Sequence, residues 1–116
     1  MGNKLPEFKD DDMYRLLRDE KIKEFNQLKA GGKSCDLIGA DFRNISLRGI
    51  DAEGLDFSNC YFRQCDLRGI DFSKSKLEGA SINSAQISGA YFPLELSAEE
   101  IMMSVNLGTR MRYRKD

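Results

Sequence analysis

Six aspartates, Asp36, Asp41, Asp51, Asp56, Asp66 and Asp71, lie five or ten residues apart, and paired carboxylates are common material for acid–base catalysis. Their register points elsewhere. A residue that returns at every fifth or tenth position holds the same local place each time, and Asp at a corner bonds nearby backbone. Three thiols, Cys35, Cys60 and Cys65, could in principle ligate zinc or act as nucleophiles. Zinc takes four ligands, usually with closely paired cysteines, and this chain has no histidine. A reactive thiol needs exposure beside a cation or a helix N-terminus, which nothing in the sequence supplies. Gly32-Lys33-Ser34 echoes the end of a phosphate-binding loop, yet Gln27 stands where such a loop needs its first glycine. Asn44-Ile45-Ser46 matches a glycosylation sequon that has meaning only in a secreted chain.

The absence of histidine also removes Ser-His-Asp and Cys-His machinery, so no catalytic residue, cofactor or metal is expected. The chain has 116 residues, the length of one small domain, with 18 Lys+Arg against 19 Asp+Glu. That balance disfavours a generic nucleic-acid binder. The 41% hydrophobic share rises to about half with the ten glycines, the value of a folded globular protein. The polar N-terminus lacks a signal peptide's apolar core, and no run approaches the roughly 18 apolar residues of a membrane span. Pro6 stands where a myristoylation motif wants Ser or Thr. A cytoplasmic chain with reduced cysteines and no membrane partner is expected.

The elements that position these residues show in a period of five. Every fifth residue from Leu37 to Phe92 is apolar: Leu37, Phe42, Leu47, Ala52, Phe57, Phe62, Leu67, Phe72, Leu77, Ile82, Ile87 and Phe92. Two positions earlier runs a second column, from Cys35 to Ala90, in which only Ser75 is polar. Between Cys35 and Leu94 all other positions hold four apolar residues, Ile38, Tyr61, Tyr91 and Leu94, so chance is not the cause. A 3.6-residue helix or a two-residue strand would drift out of this register within a few turns.

Units such as Ala40-Asp41-Phe42-Arg43-Asn44, Cys65-Asp66-Leu67-Arg68-Gly69 and Ile70-Asp71-Phe72-Ser73-Lys74 resemble the pentapeptide-repeat proteins. The resemblance covers twelve consecutive units. It implies an all-β solenoid, a right-handed quadrilateral β-helix of about three coils in which four units make one square turn. Residue n then lies above n+20, and coils about 4.8 Å apart rise only about 14 Å. Side one carries Leu37, Phe57 and Leu77; side two Phe42, Phe62 and Ile82; side three Leu47, Leu67 and Ile87; side four Ala52, Phe72 and Phe92. Glycine at the fifth place of six units suits tight corners.

A short solenoid needs caps at both ends. The expected organisation is an N-terminal helical cap (1–34), the repeat (35–94), and a C-terminal helix and basic tail (95–116), forming one structural domain. Asp10 to Asp12 could cap a helix from about Met13 to Lys29, closed by Gly31-Gly32, with Tyr14, Leu17, Phe25 and Leu28 on one face. Asp19 could instead cap a second helix. Ser97 and Glu100 have capping-box spacing for a helix from about Ala98 to Asn106, stopped near Gly108. Its apolar residues Ile101, Met102, Val105 and Leu107 are candidates for cap contacts or for a homodimer through the C-terminal segment. The segment from Gly108 to Lys115 reads either as an edge strand along the stack or as a free basic tail.

Sorted by side, the surface is bipolar. Sides two and three carry Arg43, Arg48, Arg63 and Arg68 against Asp41 and Asp66, net +2, while sides one and four come to net −4. Tyr61 sits outward beside Arg63, and an aromatic among arginines has the composition of a binding patch. The expected function is a non-catalytic protein-interaction or scaffold module with a protein partner yet to be identified. The alternative comes from the resemblance: some longer pentapeptide-repeat proteins mimic DNA and bind type II topoisomerases such as DNA gyrase, as dimers joined at C-terminal helices. Three coils span only about four base pairs at 3.4 Å each, which is short for that role.

Overall fold

Backbone pairing at an offset of 20 organises the repeat. The computed structural model describes residues 5–115. Parallel bridges join Asp41 to Tyr61, Ser46 to Asp66, Asp56 to Lys76, Tyr61 to Ser81, Asp66 to Gln86 and Asp71 to Tyr91. The chain thus completes a circuit every 20 residues, giving coil one (35–54), coil two (55–74) and coil three (75–94). The third residue of a unit donates to the coil beyond, as Phe42 N–H does to Tyr61 O (2.8 Å) and Phe72 N–H to Tyr91 O (2.8 Å). The second residue donates back, as Tyr61 N–H does to Ala40 O (3.0 Å).

Extended structure within the repeat goes no further than these single-residue bridges, and no continuous sheet forms. The all-β expectation holds only in part: the repeat stacks as turns joined by single bridges, and the regular elements are three short helices. Five residues per side explain this: two lie flat and the next two turn the corner. The fifth residue has positive φ in most units, including Asn44 (67°), Asn59 (61°), Gln64 (58°) and Ser84 (58°). At Gly79 (φ 83°) a Cβ would come within 2.0 Å of Asn59 Oδ1, so any other residue there is strained and obliges the Asn59 side chain to move. All six recurring aspartates bond the backbone N–H two residues on: Asp36 to Ile38, Asp41 to Arg43, Asp51 to Glu53, Asp56 to Ser58, Asp66 to Arg68 and Asp71 to Ser73. They brace corners.

Both apolar columns face inward. Phe42 and Phe62 stack with centroids 5.4 Å apart, and Phe72 stacks on Phe92 at 6.0 Å. Phe57 meets Phe62 and Phe72 edge-on at 5.5 and 5.8 Å. Cys60 and Cys65 lie in this core, and burial pushes each thiol up to about 12. Cys35, in the first unit, is only half buried, because the solenoid ends there. Alkylation with iodoacetamide near pH 8 should therefore modify Cys35 in the folded chain and reach Cys60 and Cys65 only in denaturant; mass spectrometry counts the adducts.

The first coil is closed by two helices, α1 (Asp12–Arg18) and α2 (Ile22–Ala30). The single helix over Met13 to Lys29 does not form; the alternative, two helices, does, though Asp19 does not cap the second. Asp11 is the N-cap of α1, whereas Asp19 ends α1 as its C-cap; α2 starts at Lys21 with no side-chain cap. Glu20 turns the chain at φ 58° and accepts the Ser46 N–H at 3.0 Å. The break lets each helix set its own phase against coil one. Met13, Tyr14, Leu17 and Phe25 are buried, but Leu28 is 44% exposed, so it does not join the face expected for it. In its place Asn26 and Lys29 of α2 reach coil one, at Gly49 O, Asp51 N–H and the Asp51 carboxylate.

Helix α3 (Ala98–Leu107) covers part of the other end. Ser97 accepts the Glu100 N–H, and Gly108 at φ 76° stops the helix. The Glu100 carboxylate does not return to Ser97; it holds the Arg112 guanidinium and N–H. Ile101 and Val105 pack on the core, while Met102 and Leu107 are exposed at 47% and 73%. The basic segment is not free. Met111 is fully buried and pairs with coil three through Gly79 N–H to Met111 O and Met111 N–H to Ala80 O, both 2.8 Å.

Candidate interaction face

Side two presents Arg43, Tyr61, Arg63 and Asn83 outward from three successive coils, with Asp41 and Ser81 buried on the same side. The pairing of Met111 fixes the neighbouring Arg110 over this wall. Its guanidinium sits 5.0 Å from the Tyr61 ring centroid, touches the Tyr61 hydroxyl, and donates to Gly79 O at 3.2 Å. A groove of ≈ 360 Å³ results, lined by Leu5, Pro6, Arg43, Tyr61, Arg63, Ser81, Asn83, Gly108 and Arg110.

Among the described residues Asp41 is the carboxylate beneath this wall, and it is buried. Arg43 clamps it through Nε at 3.0 Å and a terminal nitrogen at 2.7 Å, with the Arg43 N–H at 2.9 Å. Tyr14 donates to Asp41 O (2.6 Å) and Arg18 to Arg43 O (2.9 Å), so α1 supports this corner from behind. Arg68 holds Asp66 in the same way on side three. Arg63 and Arg48 form no ion pair among the described residues. The sequence-predicted patch therefore divides: Arg43, Tyr61 and Arg63 share the groove, whereas Arg48 and Arg68 lie on side three outside it. Sequence reasoning placed Arg110 in a basic tail with Arg112, Arg114 and Lys115 and missed its place on this face. Its only signal was the partial alternation of the basic tail, which left an edge strand open.

Burial raises the Asp41 carboxyl, but the hydrogen bonds and charge of Arg43 outweigh it and hold the group low. Hydrogen bonding from Arg68 brings Asp66 down to about 2. An unfolded Asp titrates near 3.9. The folded values are the lower ones, so this stabilisation is fully present above about pH 4 and is lost as pH falls toward 2. Thermal melts from pH 5 to 2 should show Tm falling across that window, with a shallower decline in the Asp41→Asn/Asp66→Asn double variant.

The profile described as Pentapeptide repeats (8 copies) matches residues 35–60 and 56–92. This chain belongs to the pentapeptide-repeat family. Membership suggests an interaction module, in a family that is generally non-enzymatic. No curated protein and no solved structure matches the chain. Among the described residues no helix is long and apolar enough to cross a membrane.

Proposed function

We propose that this chain is a non-catalytic protein-interaction module that docks an acidic segment of a partner protein on side two. The placement of Arg110 carries the reading: guanidinium groups from Arg43, Arg63 and Arg110 converge around one tyrosine, and the neighbouring Asp41 carboxylate is held by Arg43. Arginine and tyrosine are the residues that dominate binding hot spots. The wall that carries them is read as a right-handed quadrilateral β-helix of three coils. Parallel pairing at an offset of 20 supports this, since parallel connections are nearly always right-handed. On this reading 1–34 and 95–116 cap the repeat of 35–94, and the module works in the cytoplasm without a cofactor. The gyrase alternative asks for a long acidic rod. A body of 35 × 29 × 27 Å with an arginine-lined wall favours the interaction module over it.

Affinity capture from the source cell with wild type, Tyr61→Ala and Arg63→Ala tests the proposal. An acidic partner should be recovered, and either change or added salt should reduce recovery about tenfold. Recovery indifferent to both substitutions rejects it.

A further inference from the structure

The two ends of the solenoid are closed to different extents. At the first coil an outward-pointing backbone N–H is met on each of the four sides, at Asp36, Asp41, Ser46 and Asp51. Glu7 pairs with Gly39 and Asp41, Asp11 takes Asp36 N–H, Tyr14 takes Asp41 O, Glu20 takes Ser46 N–H, and Asn26 takes Gly49 O and Asp51 N–H. At coil three only sides one and two are met: Leu77 N–H by the Tyr113 hydroxyl, Gly79 N–H by Met111, Ile82 N–H by Ser104 and Ser84 N–H by Val105. On sides three and four the N–H groups of Ile87, Gly89 and Phe92 and the carbonyls of Ala85 and Ala90 have no hydrogen-bond partner among the described residues. Gly89 is exposed, and Ile87, Ala90 and Phe92 are only partly covered.

These five groups carry a register. One coil earlier the same places are filled: Leu67 N–H donates to Gln86 O, Gly69 N–H to Ser88 O and Phe72 N–H to Tyr91 O, while Cys65 O accepts from Gln86 N–H and Ile70 O from Tyr91 N–H. An occupant of the open edge is therefore a parallel segment that turns one corner of the solenoid, as residues 65–74 do one coil earlier. It bonds twice at a residue p, once at p+2 and twice at p+5. Its residues at p−1, p+1, p+4 and p+6 face inward, as Cys65, Leu67, Ile70 and Phe72 do around Asp66. The outer wall beside this edge is uncharged, formed by Gln86, Ser88 and Tyr91, and Leu94 near it is 86% exposed. An open edge is a template for strand addition.

We propose that sides three and four of coil three accept a segment of another protein, two five-residue units long and bent once at the corner between them, with apolar side chains at those four places. This edge is built from different residues than the side-two groove, so either reading can fail alone. The probe is a synthetic peptide of residues 65–74 carrying Cys65→Ala, whose residue 66 serves as p. It is titrated to millimolar concentration into the full-length ¹⁵N-labelled chain. The amides of Ile87, Gly89 and Phe92 should shift and exchange more slowly, with Phe42 at the closed end unmoved. The same peptide N-methylated at its residues 66 and 71 loses both donors and should bind roughly ten- to thirtyfold more weakly. No shift at the three amides, or equal binding of the methylated peptide, overturns the proposal. So does a shift that follows the concentration of the chain alone, which would give the edge to a second copy.

Discussion

Phe62→Ala is expected to lower the unfolding free energy by about 3–5 kcal/mol, which is a large part of the roughly 5–15 kcal/mol that holds a small domain together. Phe62 has no exposed surface, and its ring meets those of Phe42, Phe57 and Phe72 at 5.4, 5.5 and 6.3 Å. It sits in the middle coil. A cavity there cannot be closed by a neighbouring side moving inward, because each side is held above and below by hydrogen bonds that fix the spacing of the coils. Urea denaturation followed by circular dichroism reads the change. Tyr91→Ala, on the outer surface at 67% exposure, should cost under about 0.5 kcal/mol. Comparable losses at the two positions would mean that the aromatic column is not what holds the coils.

Met111→Asp is the second large change, and it is local. The Met111 side chain is fully buried over coil three, and its backbone makes two hydrogen bonds to Gly79 and Ala80. A carboxylate has no partner there, so the tail should detach at a cost of about 3 kcal/mol, a roughly hundredfold rise in local opening. Amide exchange at Leu77 and Gly79 should quicken by about that factor, with Phe62 and Phe72 little changed. Because Arg110 is carried by the same segment, its contact with Tyr61 goes too. Binding at side two should then weaken even though Arg43, Tyr61 and Arg63 are untouched. Unchanged exchange at Gly79 would show that the tail is not held through Met111.

The division between chain and fold follows from the range of each interaction. A period of five is a local property, and it carries the inward columns, the corners and the bracing aspartates, because each of these depends on residues at most a few places apart. The helix over Ala98–Leu107 was legible for the same reason, through Ser97 and Gly108. A break into two helices was left open by Asp19, but its place at Glu20 was not legible. It is set by contacts to Ser46, Asp51 and Asp41 across more than 20 residues, and these oblige α1 and α2 to serve different sides of coil one. Leu28 turned outward as a consequence.

The candidate face divides in the same way. Arg43, Tyr61 and Arg63 share a side because residues 20 apart stack, which the resemblance to pentapeptide repeats implied and the bridges show. Whether a cation is clamped or available depended on local chemistry that could also be read in advance: Asp41-x-Arg43 and Asp66-x-Arg68 place acid and base two apart, and Tyr61-x-Arg63 does not. Only the tertiary structure brought Arg110 onto Tyr61, across 49 residues, and left two sides of coil three without a lid. Both outcomes depend on where a chain end settles on the stack. That is decided by burial of Met111 and by backbone pairing with coil three, long-range terms that leave no periodic mark in the sequence.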